Sequence, residues 1–416
     1  MDHISSAAES FFLLVVDPKK EYARGSICSW RNHFLGLSES TLKIWSMRYY
    51  FIAGEASGDL HGANLIAALK EKDATSEFRA WGGDKMQNQG AQIVKHYKHL
   101  AYMGFWEVAK NLRTILSYIA FCKKDILAFK PDALILIDYP GFNMRIAKWA
   151  TALGIPVHYY IMPQVWAWKE NRVRKLAKHT NYRYAILPFE VDFFEQKHKL
   201  PIDFVGHPLI DELSAIPKSD GASLRATLGL TKHEKIIALL PGSRKQEISK
   251  ILGVMTAIID SFPNYRFVIA ATSNIDQSLY HQLAPGVDLV MDQTYDLVRV
   301  ADAAIVTSGT ATLETALLKT PQIVCYKTSP LSYAIAKRIV KLTFISLVNL
   351  VVNRLLVREL IQSECNQTEL TNSLREILSE NGKKAILSGY DELIEKLGGK
   401  GASEKVASLI YKRTHA

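Results

Sequence analysis

From Met47 onward, short aliphatic or β-branched runs alternate with stretches whose apolar residues recur at helical spacing, a pattern that predicts parallel sheets wrapped by helices. Strands of a first series are expected over 48–53, 133–137, 157–161 and 184–187, with 202–205 near its end. A second series is expected over 236–240, 266–271, 287–290, 303–306 and 322–325. A helix is expected from Leu60 to Leu69, and charged helices over about 369–382 and 386–413 follow the last strand. Between the two series, Ile216-Pro217-Lys218-Ser219-Asp220-Gly221 is polar and turn-forming, which places a junction there. The expected class is α/β, with two doubly wound Rossmann-like domains facing a cleft. The expected division is an extension over 1–46, weakly structured and preceding a candidate start at Met47. A first domain over 47–215, a second over 216–382 and C-terminal helices over 383–416 follow, the last capping the second domain or crossing back to the first. Open α/β sheets bind ligands at the carboxyl ends of their strands, so the chemistry is sought there.

Composition narrows the partners. The chain has 416 residues, 48% hydrophobic and 22% charged, which suits two folded domains. Lys and Arg number 51 against 41 Asp and Glu, and the resulting +10 favours anionic partners. The cations are dispersed and no zinc-finger or RRM pattern occurs, so nucleic acid ranks below nucleotide phosphate and acidic lipid. Cys28, Cys122, Cys325 and Cys365 are widely spaced without C-x-x-C, as in a cytoplasmic protein with reduced thiols and no metal site. The apolar run over 11–16 is too short to span a bilayer and lacks the flanks of a signal peptide.

Five segments carry candidate chemistry. After the first strand, Ala53-Gly54-Glu55-Ala56-Ser57-Gly58-Asp59 allows a tight strand-to-helix turn through Gly54 and Gly58, with Glu55 and Asp59 suited to accept from sugar hydroxyls; a helix cap by Ser57 or Asp59 is the bland reading. Asp138 ends the apolar run Leu134–Ile137, where low dielectric raises a carboxyl toward a useful base; otherwise it is a solvated turn residue. Trp166 and Trp168 offer a platform for a sugar ring, or simply core packing, and His158 within a strand reads as a packed histidine. Pro241-Gly242-Ser243-Arg244-Lys245 opens a helix with a guanidinium beside free amides, a cradle for pyrophosphate. Ser308-Gly309-Thr310-Ala311 lets diphosphate oxygens approach a second helix start, with Glu314 on its first turn as an acceptor of ribose hydroxyls or as a capping-box acid.

With those residues in hand, the chain resembles the lipid-A-disaccharide synthases, inverting glycosyltransferases of the GT-B fold. The resemblance runs from about Met47 to the C-terminal region. It rests on Ala-Gly-Glu-Ala-Ser-Gly-Asp at 53–59, Ile-Asp at 137–138 with Phe-Asn at 142–143, Val-Trp-Ala-Trp at 165–168 and Leu-Pro-Phe-Glu at 187–190. Phe-Val-Gly-His-Pro at 204–208, Leu-Pro-Gly-Ser-Arg at 240–244, Ser-Gly-Thr-Ala at 308–311 with Leu-Glu at 313–314, and Asn349 follow in order. Departures are the extension before Met47, Tyr159–Gln164 in place of Ser-Pro-Ser before the tryptophans, and Leu347-Val348-Asn349 in place of Leu-Pro-Asn.

The resemblance implies condensation of UDP-2,3-diacylglucosamine with 2,3-diacylglucosamine 1-phosphate to the β-1′,6-linked disaccharide 1-phosphate and UDP, without metal or cofactor. It implies Asp138 as general base. Arg244, Ser308, Gly309, Thr310, Ala311, Glu314 and Asn349 would lie on the donor side, with Glu55, Ser57, Gly58 and Asp59 toward the sugar and acceptor. It also implies peripheral association of a cytoplasmic protein with the inner membrane, and a homodimer exchanging C-terminal helices. Phe105, Trp106, Val108, Leu112, Ile115 and Leu116 follow helical spacing with Lys110 and Arg113 interleaved. By base rate such a stripe is a core face, but acylated substrates favour acyl or membrane contact. A second apolar and basic segment spans 335–360. The alternatives are another GT-B enzyme acting on UDP-N-acetylglucosamine, whose soluble acceptor gives no reason to expose that stripe, and a non-catalytic two-lobed binding protein.

Overall fold

A computed structural model describes residues 46–100, 112–217, 221–339 and 342–415. The extension before Met47, together with Cys28, Phe105, Trp106 and Val108, therefore lies outside the described residues. The first sheet holds seven strands in the order β3-β2-β1-β4-β5-β6-β7: β1 (Arg48–Ala53), β2 (Glu77–Gly82), β3 (Gln92–His96), β4 (Ala133–Ile137), β5 (Val157–Tyr160), β6 (Tyr182–Ala185) and β7 (Asp203–Phe204). The second holds six in the order β10-β9-β8-β11-β12-β13: β8 (Lys235–Leu240), β9 (Tyr265–Ala271), β10 (Asp288–Met291), β11 (Ala303–Thr307), β12 (Gln322–Tyr326) and β13 (Glu359–Ile361). Every pairing is parallel. Each sheet reverses its order once, between β1 and β4 and between β8 and β11, and such a reversal leaves a crevice at the strand carboxyl ends.

The helices that matter below are α1 (Ala56–Lys72), α2 (Asp84–Asn88), α3 (Leu112–Phe129), α4 (Pro140–Ala152), α5 (Val173–His179), α6 (Leu209–Ala215), α7 (Lys245–Thr256), α8 (Thr294–Val300), α9 (Thr310–Leu317), α10 (Leu347–Val352), α11 (Gln367–Leu378), α12 (Glu380–Lys396) and α13 (Ala402–Thr414). The central strands are buried on both faces, which is why β4 reads as Ala-Leu-Ile-Leu-Ile without alternation. β2, β3 and β13 were not among the expected strands. β2 carries Glu77 and Arg79, β3 has no fully buried residue and β13 is three residues long, so none shows a long apolar run.

The long helix expected over 386–413 is two helices. Gly398, Gly399 and Gly401 have positive φ of 86°, 67° and 91° and end α12, after which α13 takes a new direction. Leu393 and Leu397 join the core around the second sheet, whereas Val406, Ala407 and Ile410 of α13 pack with Leu65, Ile66 and Leu69 of α1 on the first. Arg413 donates to both carboxylate oxygens of Asp203 on β7 (2.7 and 3.1 Å), a bidentate pair that fixes this return.

α3 corrects part of the apolar-stripe reading. Ile115 is 8% exposed and Ile119 3%, and both pack with Tyr50, Leu134 and Leu136, so Ile115 faces the core and not a lipid. Leu116 is half-buried, and the side chain of Leu112 lies outside the described residues. In the second basic segment, Val348, Val351, Val352 and Leu360 are likewise core residues. No helix among the described residues is long and apolar enough to cross a membrane.

Candidate functional site

Ala53 pairs with Ile137, so the next residues, Gly54 and Asp138, leave the first sheet side by side at its order reversal. Asp138 and Tyr139 both take left-handed backbone, φ 45° and 49°. Such conformations cost on the order of 1–3 kcal/mol each unless their surroundings impose them, and here they are imposed. The Asp138 carbonyl accepts from Tyr159 Oη (2.7 Å) and Asn143 Nδ2 (2.7 Å), while its amide donates to the Tyr160 carbonyl (3.1 Å). The Tyr139 ring lies against Gly54, where an added Cβ would come within 2.4 Å of ring carbons. Gly54 is thus required for close approach. Gly58 serves similarly, since a Cβ there would sit 2.9 Å from that of Ala53 as α1 packs on β1.

The Asp138 carboxyl opens to solvent at the strand end, yet desolvation by the surrounding protein and the nearby Glu55 carboxylate raise its pKa to about 6, against a smaller opposing pull from the Tyr139 amide. Glu55 and Ser57 are exposed on the same turn. Asp59 is different. It is 2% exposed, its Oδ1 accepts from the amides of Gly83 (2.7 Å) and Met86 (3.2 Å), and its Oδ2 accepts from the Lys85 amide (3.1 Å). Its carboxylate caps α2 from the adjoining α1, which corrects the expectation of a sugar-facing role: the helix capped is not its own.

The tryptophans separate. Trp166 packs edge-on against Phe189, and its Nε1 donates to Glu190 Oε1 (3.1 Å). Glu190 Oε2 accepts from the Ile186 and Leu187 amides (3.2 and 3.1 Å); burial raises this carboxyl to about 7, against those three donors. Trp168 is 46% exposed and carries Lys169 Nζ 4.7 Å and Arg172 5.5 Å from its ring centre. His158 is buried with Nδ1 2.8 Å from Tyr184 Oη, and desolvation lowers it to about 3, so it is a neutral core histidine as its strand position suggested.

On the second sheet, Leu240 of β8 pairs with Val306 of β11, so the loops carrying Gly242–Arg244 and Ser308–Thr310 emerge together at the other order reversal. Gly242 has φ 106°, and Arg244 precedes the first turn of α7 with its side chain 81% exposed, paired to Glu247 at 3.3 Å. An exposed pair of this kind contributes little, so the guanidinium is easily redirected to an anion. Ser308 is anchored, its amide donating to the Cys325 carbonyl (3.0 Å) and its Oγ to the Ile345 carbonyl (3.2 Å), while Gly309 and Thr310 are exposed and Ala311 is half-buried.

Two donor-side expectations change. Glu314 is the fifth residue of α9, beyond its first turn, so it neither compensates the helix end nor forms a capping box. Desolvation, followed by the charge of Glu212 on α6, raises its carboxyl to about 7, against a smaller opposing pull from the Tyr295 hydroxyl of α8. Asn349 is wholly buried with its amide used internally. Nδ2 donates to the Val357 carbonyl and to Glu359 Oε1 (both 2.8 Å), and Oδ1 accepts from the Leu356 and Val357 amides (both 2.9 Å). No donor or acceptor remains for a nucleotide, so Asn349 shapes the loop beneath Ser308 instead. Glu190, Glu212 and Tyr295 were not singled out as site residues, and their contacts join segments far apart in sequence. Among the described residues no group of three or more His, Cys, Asp or Glu side chains could hold a metal ion.

Residues 49–412 match a family model described as lipid-A-disaccharide synthetase. The lipid-A-disaccharide synthase of Syntrophus aciditrophicus is 41% identical over 366 residues, covering 86% of this chain and 95% of that one. That of Coxiella burnetii (strain CbuG_Q212) is 32% identical, covering 86% and 96%. Among solved structures, UDP-GlcNAc 2-epimerase from Neisseria meningitidis superposes with a TM-score of 0.56 at 15% identity over 89% of this chain and 99% of that one. The glycosyltransferase SnogD from Streptomyces nogalater does so with 0.55 at 17% identity over 89% and 100%. At those identities the likeness fixes the fold alone, and that fold is GT-B-like.

Proposed function

The chain belongs to the lipid-A-disaccharide synthase family, and from that premise we propose how its two sheet reversals divide the reaction. The activity is the hexosyl transfer of lipid A biosynthesis, for which the family implies UDP-2,3-diacylglucosamine as donor and 2,3-diacylglucosamine 1-phosphate as acceptor. The acceptor 6-hydroxyl oxygen attacks the anomeric carbon and the bond from that carbon to the diphosphate breaks. Its electron pair leaves on UDP, and the hydroxyl proton passes to the Asp138 carboxylate. Arg244 and the amides at the start of α9 stabilise the charge on the departing diphosphate. Glu314 accepts the ribose hydroxyls, and Glu55 and Ser57 line the acceptor side.

The observation that carries this reading is Asp138, fixed in a left-handed turn at the first sheet's reversal with its carboxyl raised to about 6 beside Glu55. A base of that pKa is ionised at neutral pH and still takes up a proton readily. It works only when ionised, so kcat is expected to be level above about pH 7 and to fall tenfold per unit below about pH 6. The acyl chains support peripheral docking at the inner-membrane surface through Phe105, Trp106 and Val108 with Leu116; a homodimer is supported by the family alone, since in this chain α13 returns onto its own first sheet.

The direct test is incubation of the purified protein with both acylated glucosamine substrates, with disaccharide 1-phosphate and UDP as the expected products. Glu314→Ala is expected to raise the donor KM about tenfold or more with a smaller effect on kcat. Turnover of UDP-N-acetylglucosamine with no disaccharide formed would overturn the reading.

A further inference from the structure

The loop from β5 to α5 leaves the first sheet beside Asp138, whose amide donates to the Tyr160 carbonyl at the end of β5 (3.1 Å). The start of this loop is pinned. Met162 and Val165 are buried with Phe142 and Ile146 of α4 and Val173 of α5, and Trp166 Nε1 donates to Glu190 (3.1 Å). The residues after that anchor turn outward. Lys169 takes left-handed backbone (φ 57°, ψ 47°) and opens a single 3₁₀ turn, Glu170–Arg172. The Arg172 amide donates to the Lys169 carbonyl (2.9 Å), which draws the two cations together over the exposed Trp168 ring, at 4.7 and 5.5 Å from its centre. Glu170, between them in sequence, does not neutralise them: its carboxylate meets Lys197 Nζ (2.7 Å) and His198 Nε2 (2.9 Å) instead. Among the described residues no carboxylate stands within ion-pair distance of Lys169 or Arg172. Arg145, which acts on Tyr139 next to Asp138, is committed to the Gly141 carbonyl of its own helix.

We propose that Trp168, Lys169 and Arg172 form the subsite for the acceptor's 1-phosphate, the indole covering the sugar ring and the two cations meeting the phosphate monoester. This rests on the reading of the acceptor as a glycosyl 1-phosphate that attacks beside Asp138. The charge balance at this sheet edge calls for such a subsite. Asp138 and Glu55 set two carboxyls where the acceptor hydroxyl arrives, and a phosphate monoester brings about −1.5 to −2 charges at pH 7. Unanswered, that charge is repelled. A guanidinium and an ammonium standing to one side turn the repulsion into an orienting force, drawing the phosphate toward them and leaving the hydroxyl at the other end of the sugar toward Asp138. The planar guanidinium meets phosphate oxygens in pairs, and the ammonium adds a second charge. The indole, 46% exposed, leaves an apolar face free for the C–H face of a pyranose.

The test compares two acceptors in neutral-detergent micelles, with no bilayer present: 2,3-diacylglucosamine 1-phosphate and the corresponding 1-methyl glycoside, which lacks the phosphate. The wild type is expected to favour the phosphorylated acceptor by about 10²-fold or more in kcat/KM. Lys169→Ala combined with Arg172→Ala is expected to reduce that preference to about tenfold or less, through the acceptor KM, with the donor KM and the melting temperature near those of the wild type. Lys169→Ala alone, at an exposed position, serves should the double variant not fold, with an expected loss of about tenfold. Trp168→Ala is expected to raise the KM of both acceptors about tenfold together, since the ring serves the sugar in either. A double variant that keeps the full preference overturns the subsite, and if it also fails to bind phosphatidylglycerol vesicles that the wild type binds, the cations serve a lipid surface instead. A wild type that turns over both acceptors equally well overturns the subsite and leaves the transfer reading intact. No disaccharide from either acceptor refutes the transfer reading, and the subsite with it.

Discussion

Asp138→Asn is expected to lower kcat about 10²–10⁴-fold while the donor KM stays near that of the wild type. Asn is nearly isosteric, and the left-handed turn at residue 138 is held through its backbone carbonyl and amide, so the substitution leaves the turn intact. What it removes is the capacity to take a proton from the attacking hydroxyl. Glu55→Gln is the companion variant. Desolvation is the first cause of the raised pKa of Asp138 and the Glu55 charge the second, so removing that charge shifts the acid limb of the rate profile toward lower pH without abolishing turnover. Initial rates at saturating donor across pH 5 to 9 separate the two. Undiminished turnover by Asp138→Asn, with its melting temperature unchanged, would remove Asp138 from the chemistry.

The parts legible in the sequence are those that local pattern dictates. Apolar runs marked the buried central strands, and small residues directly after β1, β8 and β11 marked the crevices, because a parallel sheet buries both faces and its ligand approaches backbone at the strand ends. Edge strands escaped for the converse reason: β3 is partly solvated and β13 is too short to form a run. Site residues divided along a similar line. Of the candidates, Asp138 and Arg244 sit at strand–helix junctions that sequence can locate, and Glu314 lies one turn into the helix after such a junction. Whether an acid in such a segment faces a ligand or the protein depends on what folds against it, and Asp59 meets amides 24 or more residues away in sequence. Glu212 had no local signal. Its position gains meaning only where α6 brings it beside Glu314, a neighbour about a hundred residues distant in sequence.

Asn349 supplies the sharpest contrast between a motif position and what its side chain does, and Asn349→Ala is expected to cost about 3 kcal/mol or more of stability. The amide group makes four hydrogen bonds in a site with no solvent exposure. Alanine would strand the Leu356 and Val357 amides and the Val357 carbonyl. It would also leave Glu359 Oε1 with the Ser346 amide (3.0 Å) alone, while Oε2 keeps the Ile345 amide (2.9 Å). Each unpaired buried group costs more than the net worth of the bond it lost, because no water replaces the partner. Thermal melting reads this as a fall of several degrees. Ser308 is tied to the Ile345 carbonyl, so a loosened loop also raises the donor KM, but only alongside the lost stability. A residue that touched the nucleotide directly would behave the other way, with a weakened donor and an unchanged melting temperature. That second outcome would restore Asn349 to the donor site and show that its internal bonds open when the nucleotide binds.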